Sequence, residues 1–446
     1  MKHLIIIAAC SLLSFPFSVA LATPAPAQVP QTGQSTCYNT AGEFIDCSGT
    51  GQDGELLAGV LWPIQRFTDH GDETITDNLT GLIWTKNADA GAMDWQGALD
   101  DIKAKNSGNY LGHSDWRLPN SNELESLINK EEISTPELLR MQGFFNLEDT
   151  QYWSSSSYYG PFTAPSAWVV FMADGFVYHY DKTFYSHVWP VRSGQSPGYL
   201  SLAKTGQSIC YDTAGTEIAC SGSGHDGELQ SGAEWPSPRF TDNGDQTIAD
   251  NLTEPIWHRN ANITGVAKTW QEALDYIKSM NNSTDITVNL GHNDWRLPNS
   301  NELESIANKG QSNLAAWLNA NYFSNVQPQK YWSSSTAAAE TAKAWYVNMG
   351  DGYLEGDDKT NVNYLRPVRD VRPVRDGIFS KAPGKTYPDI SDAQRAMKIA
   401  SGLIVPTPED LSHGDLAPLD IHRRSKGNNT IDIYDVIAIL LKSVGL

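Results

Sequence analysis

Beyond its first 22 residues the sequence has no apolar run long enough to cross a bilayer, no cysteine after position 220, and a shortage of basic residues. The first absence excludes an integral membrane protein once the N-terminus is processed. The second removes chemistry that needs thiols late in the chain. The third leaves 32 Lys and Arg against 52 Asp and Glu, a formal charge of -20. Such a field repels nucleic acid, heparin-like polyanions and anionic membranes at long range. Neutral glycans, divalent cations and basic partners are compatible with it. Hydrophobic content of 40%, rich in Trp and Tyr, places the chain among globular proteins, and 446 residues suggest two or three domains.

Residues 1–22 read as a secretory signal peptide. Lys2 and His3 open it, an apolar stretch runs from Leu4 to Leu21, and Ala20-Leu21-Ala22 supplies a small-x-small cleavage site. Pro16 and three serines weaken the alternative of a membrane anchor. Ile7-Ala8-Ala9-Cys10 comes too early to be a lipoprotein box. Export then places the other cysteines in an oxidising compartment. They form two pairs of identical spacing, Cys37–Cys47 and Cys210–Cys220, each with a glycine turn between them, Gly42 or Gly215. Two short strands joined by such a turn bring the thiols opposite each other, so two disulfides are expected. A metal or redox pair would want closer spacing and nearby His.

Self-similarity sets the architecture. Arg66-Phe67-Thr68-Asp69 returns at 239–242, Asp77-Asn78-Leu79-Thr80 at 250–253, and Tyr152-Trp153-Ser154-Ser155-Ser156 at 331–335. The twelve residues from Asp115 to Ser126 recur word for word from Asp294 to Ser305. The unit is too long for a solenoid repeat, so each copy is expected to be a domain with its own core, over 32–193 and 205–370.

Within a copy, Asp94 and Thr269 cap helices whose inward faces are Trp95, Ala98, Leu99, Ile102 and Trp270, Ala273, Leu274, Ile277. Asn120 with Glu123 caps a second helix. Alternation around Asp174-Gly175 and Asp351-Gly352 predicts hairpins, and Val188–Arg192 and Leu365–Arg369 predict closing strands. The fold class is α+β, with a mostly antiparallel sheet and two helices per copy.

The opening Cys hairpin, Asp-Asn-Leu-Thr-Gly-Leu-x-Trp, Asp-Trp-Arg-Leu-Pro, Trp-Ser-Ser-Ser and the closing Pro-Val-Arg together resemble the C-terminal domain family of a collagen-like bacterial adhesin, the Lcl C-terminal domain family. The resemblance covers nearly all of both copies. It departs at Glu254-Pro255, where the first copy has Gly81-Leu82. It implies two tandem C-type-lectin-like domains, a fold shared with formylglycine-generating enzymes. For the adhesin it implies binding of sulfated glycans, which the acidic charge here disfavours.

An enzyme of the formylglycine type needs cysteines in the second half of the domain, and none are there. His113 and His292 sit in loops without a nucleophile motif. The chain is therefore read as a non-enzyme. Arg117 and Arg296 suit a carboxylate or sulfate grip, but an ion pair with Asp115 or Glu123, or their twins, is favoured. Trp84, Trp95, Trp153 and Trp168 are expected in the core, while Tyr178, Tyr180 and Tyr185 are first-copy candidates for stacking on a sugar. Asp69, Asp72 and Asp77, with Asp242, Asp245 and Asp250, have the alternating oxygens and central Gly of calcium loops; the same words form ordinary hairpin turns.

After a linker at 371–387, residues 388–446 look similar to a dockerin, a tandem of calcium loops and helices that docks on a cohesin. Lys381, Pro383 and Lys385 stand where the first loop would need ligands. The second unit retains Asp415, Asp420, Asp432 and Asp435. A calcium-free helical pair packed through Ile399, Val436, Ile439 and Leu440 is the alternative. The expectation is a secreted or cell-surface adhesion protein with paired glycan sites, calcium as its cofactor, and a cohesin-like partner. A structural spacer is the second reading, and an enzyme of the formylglycine-generating fold the third.

Overall fold

A computed structural model of the chain describes residues 27–158, 160, 165–194, 198 and 200–370. The signal peptide, the linker and the 388–446 module, with Asp415, Asp420, Asp432 and Asp435, lie outside the described residues.

The helix caps fall where the sequence puts them. Helix α1 (Trp95–Ser107) starts at Asp94, whose carboxylate accepts from the Gly97 amide at 2.7 Å. Helix α2 (Ser121–Glu125) has the full Asn120–Glu123 capping box. Their twins, α3 (Trp270–Asn281) and α4 (Ser300–Ser305), carry capping boxes at Thr269–Glu272 and Asn299–Glu302. Two helices per copy is an undercount. Thr135–Met141 and Leu314–Ala320 are helical as well, and Ser134-Thr135-Pro136-Glu137 is a readable start signal for the first of them.

Each copy contributes to one large sheet. Its strands are β1 (Ala92–Met93), β2 (Gln151–Tyr158), β3 (Ser166–Phe171), β4 (Val177–Asp181), β5 (Ser186–His187), β6 (Lys330–Thr336), β7 (Lys343–Asn348) and β8 (Leu354–Asp358). The order is β6-β7-β8-β4-β3-β2-β5-β1, antiparallel except between β5 and β2. Both predicted hairpins are present, β3-β4 and β7-β8, and they meet at the middle through the twin residues Val177 and Leu354. A smaller antiparallel sheet in each copy ends on the predicted closing strand, Val191–Ser193 or Val368–Arg369.

The two cores are separate only in part: each copy keeps a cluster of its own, around Trp95 or around Trp270. One buried cluster joins Trp84, Tyr152, Trp168 and Trp189 to Trp257, Tyr331 and Trp345 across the shared sheet. The opening hairpins are also exchanged. The first copy's hairpin, Cys37–Tyr38 paired with Phe44–Ile45 and closed by the Cys37–Cys47 disulfide, docks on the second copy. The second copy's hairpin, closed by Cys210–Cys220, docks on the first.

The docking is chemically explicit. Asp53, in the first turn of the short helix Asp53–Leu56, accepts from Ser335 at 2.5 Å and from Thr32 at 2.7 Å. Its twin Asp226 accepts from Ser156 and Thr205, each at 2.6 Å. The Gln34 side chain exchanges two 2.8 Å bonds with the Thr336 backbone, and Gln207 does the same with Ser157. Lys182 and Lys359, nearly without exposure, lie over Trp95 and Trp270 and donate to carbonyls of the opposite hairpin, at Tyr211–Asp212 and Tyr38–Asn39.

The serine run is the socket for this exchange. In β2 the register shifts between Trp153 and Ser157, and in β6 between Trp332 and Thr336. Small side chains at such an irregularity leave room for incoming groups. Ser154 donates to the Trp168 carbonyl, the Ser155 amide donates to the Pro119 carbonyl, and Ser156 takes the carboxylate. Where the copies meet, Lys309 bridges the twin carboxylates Glu125 and Glu304 at 3.2 and 2.7 Å. Burial and the adjacent Glu304 push the Glu125 carboxyl well up.

Two outcomes follow. Ser156→Ala and Ser335→Ala each remove one of the two hydroxyls that answer a buried carboxylate, so each lowers unfolding free energy by about 1–3 kcal/mol in urea titrations. Burial raises Asp53 and Asp226 to about 6. With the folded pKa above the unfolded one, their contribution is fully present below pH ~4 and is lost as pH rises through about 6. Half-buried His179 and buried His225, lowered to about 4, pull the opposite way, so the measurement is a difference between proteins. Between pH 4 and 6, an Asp53→Asn/Asp226→Asn double variant loses this component relative to wild type, by about 2–3 kcal/mol per site. Parallel stability–pH curves for the two proteins would refute it.

Candidate functional site

Helix α1 packs over β2 through Trp95 and Trp153, and α3 over β6 through Trp270 and Trp332. Between these helices the same sheet face runs across β3, β4, β8 and β7, about 15–20 Å of floor at ordinary strand spacing. Register places Val169, Phe171, Tyr178 and Tyr180 on the first copy's half, and Glu355, Asp357, Tyr346 and Asn348 on the second's.

The two halves are twins in position and opposites in chemistry. Tyr178 corresponds to Glu355, Tyr180 to Asp357, and Phe171 to Asn348. Phe171, Tyr178 and Tyr180 are half-buried and stack edge to face at 5.8–5.9 Å, with the exposed Phe184 extending the patch from Tyr180. On the other half, the Tyr346 hydroxyl donates to Glu355 at 2.5 Å. Tyr178 also turns its hydroxyl to Glu355; burial and that carboxylate raise both tyrosines above their ordinary range. Asp357 is held by Lys330, Asn361 and Asn363, and these hydrogen bonds keep its carboxyl low despite burial. The two halves therefore present one continuous floor with an aromatic end and an acidic end, rather than two equivalent surfaces.

Of the sugar-stacking candidates, Tyr178 and Tyr180 lie on this floor. Tyr185 is exposed on the turn after β4, next to Phe184. Trp84, Trp95, Trp153 and Trp168 are all buried, as expected of core residues. Arg117 makes a bidentate pair with Glu123 at 2.5 and 2.6 Å, and Arg296 pairs likewise with Glu302, so neither guanidinium is presented to solvent as a grip. Asp115 and Asp294 instead bind Arg192 and Arg369 of the closing Pro-Val-Arg motif.

The proposed calcium loops do not converge. Asp77 and Asp250 are buried in ion pairs with Arg66 and Arg239, Asp69 and Asp242 pair with Lys86 and Arg259, and Asp72 and Asp245 bond to Thr74 and Thr247 in their own turns. Among the described residues no three His, Cys, Asp or Glu side chains gather as a metal-binding group. His113 and His292 pack against Trp116 and Trp295.

Sequence reasoning missed the repeated Asp-Gly-Glu-Leu of 53–56 and 226–229. Its signal was available as an exact internal repeat. The Asp is the docking carboxylate. The Gly approaches the Thr36 or Ile209 carbonyl so closely that a Cβ would sit 2.3 or 2.7 Å away. The Glu accepts from amides of the disulfide loop, Gly49 and Gly51 or Gly222 and Gly224.

These features define a tandem duplication of one disulfide-opened α+β module, with the two copies interlocked by exchanged hairpins. The pattern of the Lcl C-terminal domain family matches residues 73–192 and 246–369, more than half of the chain, and the chain belongs to that family. A comparison with curated proteins finds no match. Among the described residues no helix is long and apolar enough to cross a membrane.

The contact of Glu355 with both tyrosines has a direct spectroscopic consequence. Glu355→Gln removes the negative charge, so the Tyr178 and Tyr346 hydroxyls titrate at lower pH in tyrosinate absorbance. An unchanged titration would show that the carboxylate does not govern them.

Proposed function

We propose that the chain is an exported, non-catalytic adhesion protein that holds a neutral extracellular or cell-surface glycan on the floor between α1 and α3. The observation that carries this reading is the side-by-side placement of Phe171, Tyr178 and Tyr180 with Glu355 and Asp357. Aromatic faces suit the C–H faces of sugars, and carboxylates accept hydrogen bonds from sugar hydroxyls. Family membership supports an adhesin-like role, and the disulfides fit an exported protein. A formal charge of -20 favours neutral over sulfated ligands.

The C-type-lectin-like fold, the dockerin-like module at 388–446, its calcium and its cohesin-like partner belong to the same proposal, on the sequence features given above. The spacer reading draws its support from the continuous sheet, which makes the two copies one stiff body.

A glycan array probed with the intact protein at two salt concentrations tests this. Retention of neutral oligosaccharides should be largely insensitive to salt, and Tyr178→Ala or Tyr180→Ala should weaken it by about tenfold or more. Silence across the array favours the spacer. Retention that these substitutions leave unchanged places the ligand elsewhere.

A further inference from the structure

The copies differ at one position deep in the core. Trp189 of the first copy packs against Trp84, Phe144 and Tyr152 at ring distances of 5.0, 5.1 and 6.0 Å and donates its indole N–H to the Thr85 carbonyl. Its twin in the second copy is Arg366. That guanidinium is fully buried, with its carbon 3.8 Å from the Phe323 ring centroid and 5.0 Å from that of Trp257. Among the described residues, Nε, Nη1 and Nη2 find no hydrogen-bond partner.

The surrounding groups offset the charge only in part and offer it no hydrogen bond. Asp250, the nearby carboxylate, is committed to Arg239, the Leu252 amide and the Thr253 hydroxyl. The Tyr331 hydroxyl accepts from the Gln327 amide, and the His258 ring is engaged with Asn260. Aromatic faces offset part of a cation's desolvation, but a buried guanidinium with five unanswered donors is costly without an anion.

We propose that Arg366 holds a small monovalent anion of the chloride type inside the second copy. Two parallel N–H groups along one edge of its fork can meet a single such ion. The dry aromatic walls select a weakly hydrated monovalent ion over sulfate or phosphate, whose desolvation the site does not repay. The first copy has an indole in this place and no such site. Burial lowers the guanidinium to about 9, although Tyr331 and Asp250 act in the opposite direction.

The test is thermal unfolding of the intact protein at constant ionic strength, with sodium gluconate exchanged for sodium chloride or bromide. The melting temperature should rise by about 2 °C or more as halide replaces gluconate. Sodium sulfate at matched ionic strength should not reproduce the rise. Arg366→Trp restores the first copy's residue and Arg366→Met removes the charge; either should abolish the halide dependence. Chloride-35 line broadening should likewise be present in wild type and reduced in whichever variant folds. A wild-type melting temperature indifferent to halide, or a halide response that survives in the variants, overturns the proposal.

Discussion

Two carboxylates taken out of water hold the molecule's halves together. Asp53 and Asp226 each leave their own copy with the opening hairpin and enter a socket of hydroxyls in the other. Burying a carboxylate is unfavourable unless it is answered, and here the Oδ2 of each accepts from one hydroxyl of its own arm and one of the opposite strand. The register shift in β2 and β6, the serine run, the glycine after each Asp and the disulfide that folds each arm all serve that placement. The buried lysines repeat the logic with opposite charge. Lys182 and Lys359 are pushed down to about 7 by burial, and each is fixed over a tryptophan by carbonyls of the arm it receives.

Interlocking also decides what surface the molecule presents. Two free-standing domains would present two copies of one surface, related by whatever linker joined them. Because the hairpins β3-β4 and β7-β8 meet edge to edge, their outer faces become a single floor. Its two halves occupy twin positions, so their side chains could diverge while the backbone stayed the same. The first half became aromatic and the second acidic. Trp189 and Arg366 show the same divergence inside the core.

Much of the local structure was legible. Asp94, Asn120 and Thr269 each place a side-chain acceptor where free amides need one, and that signal depends only on residues three apart. The Cys pairs, the Asp-Gly hairpins and the inward tryptophans are equally local. The paired Asp115–Arg192 and Asp294–Arg369 were not legible as partners, although both motifs were recognised, because more than seventy residues separate them. The helix Leu314–Ala320 was missed although its signal is local: Asn313 caps it, and Leu314, Ala315 and Leu318 fall on one buried face.

The sequence by itself determined that the protein is a duplication, that each copy opens with a bridged hairpin, and that its class is α+β. It could not decide which copy each hairpin completes. Thr32, Gln34 and Asp53 have near-identical twins in Thr205, Gln207 and Asp226, and the sockets are twins as well, so docking in place and docking by exchange make the same contacts residue for residue. Only the positions of the strands in space distinguish them. The tertiary structure made that choice, and with it the shared sheet and the single two-ended floor.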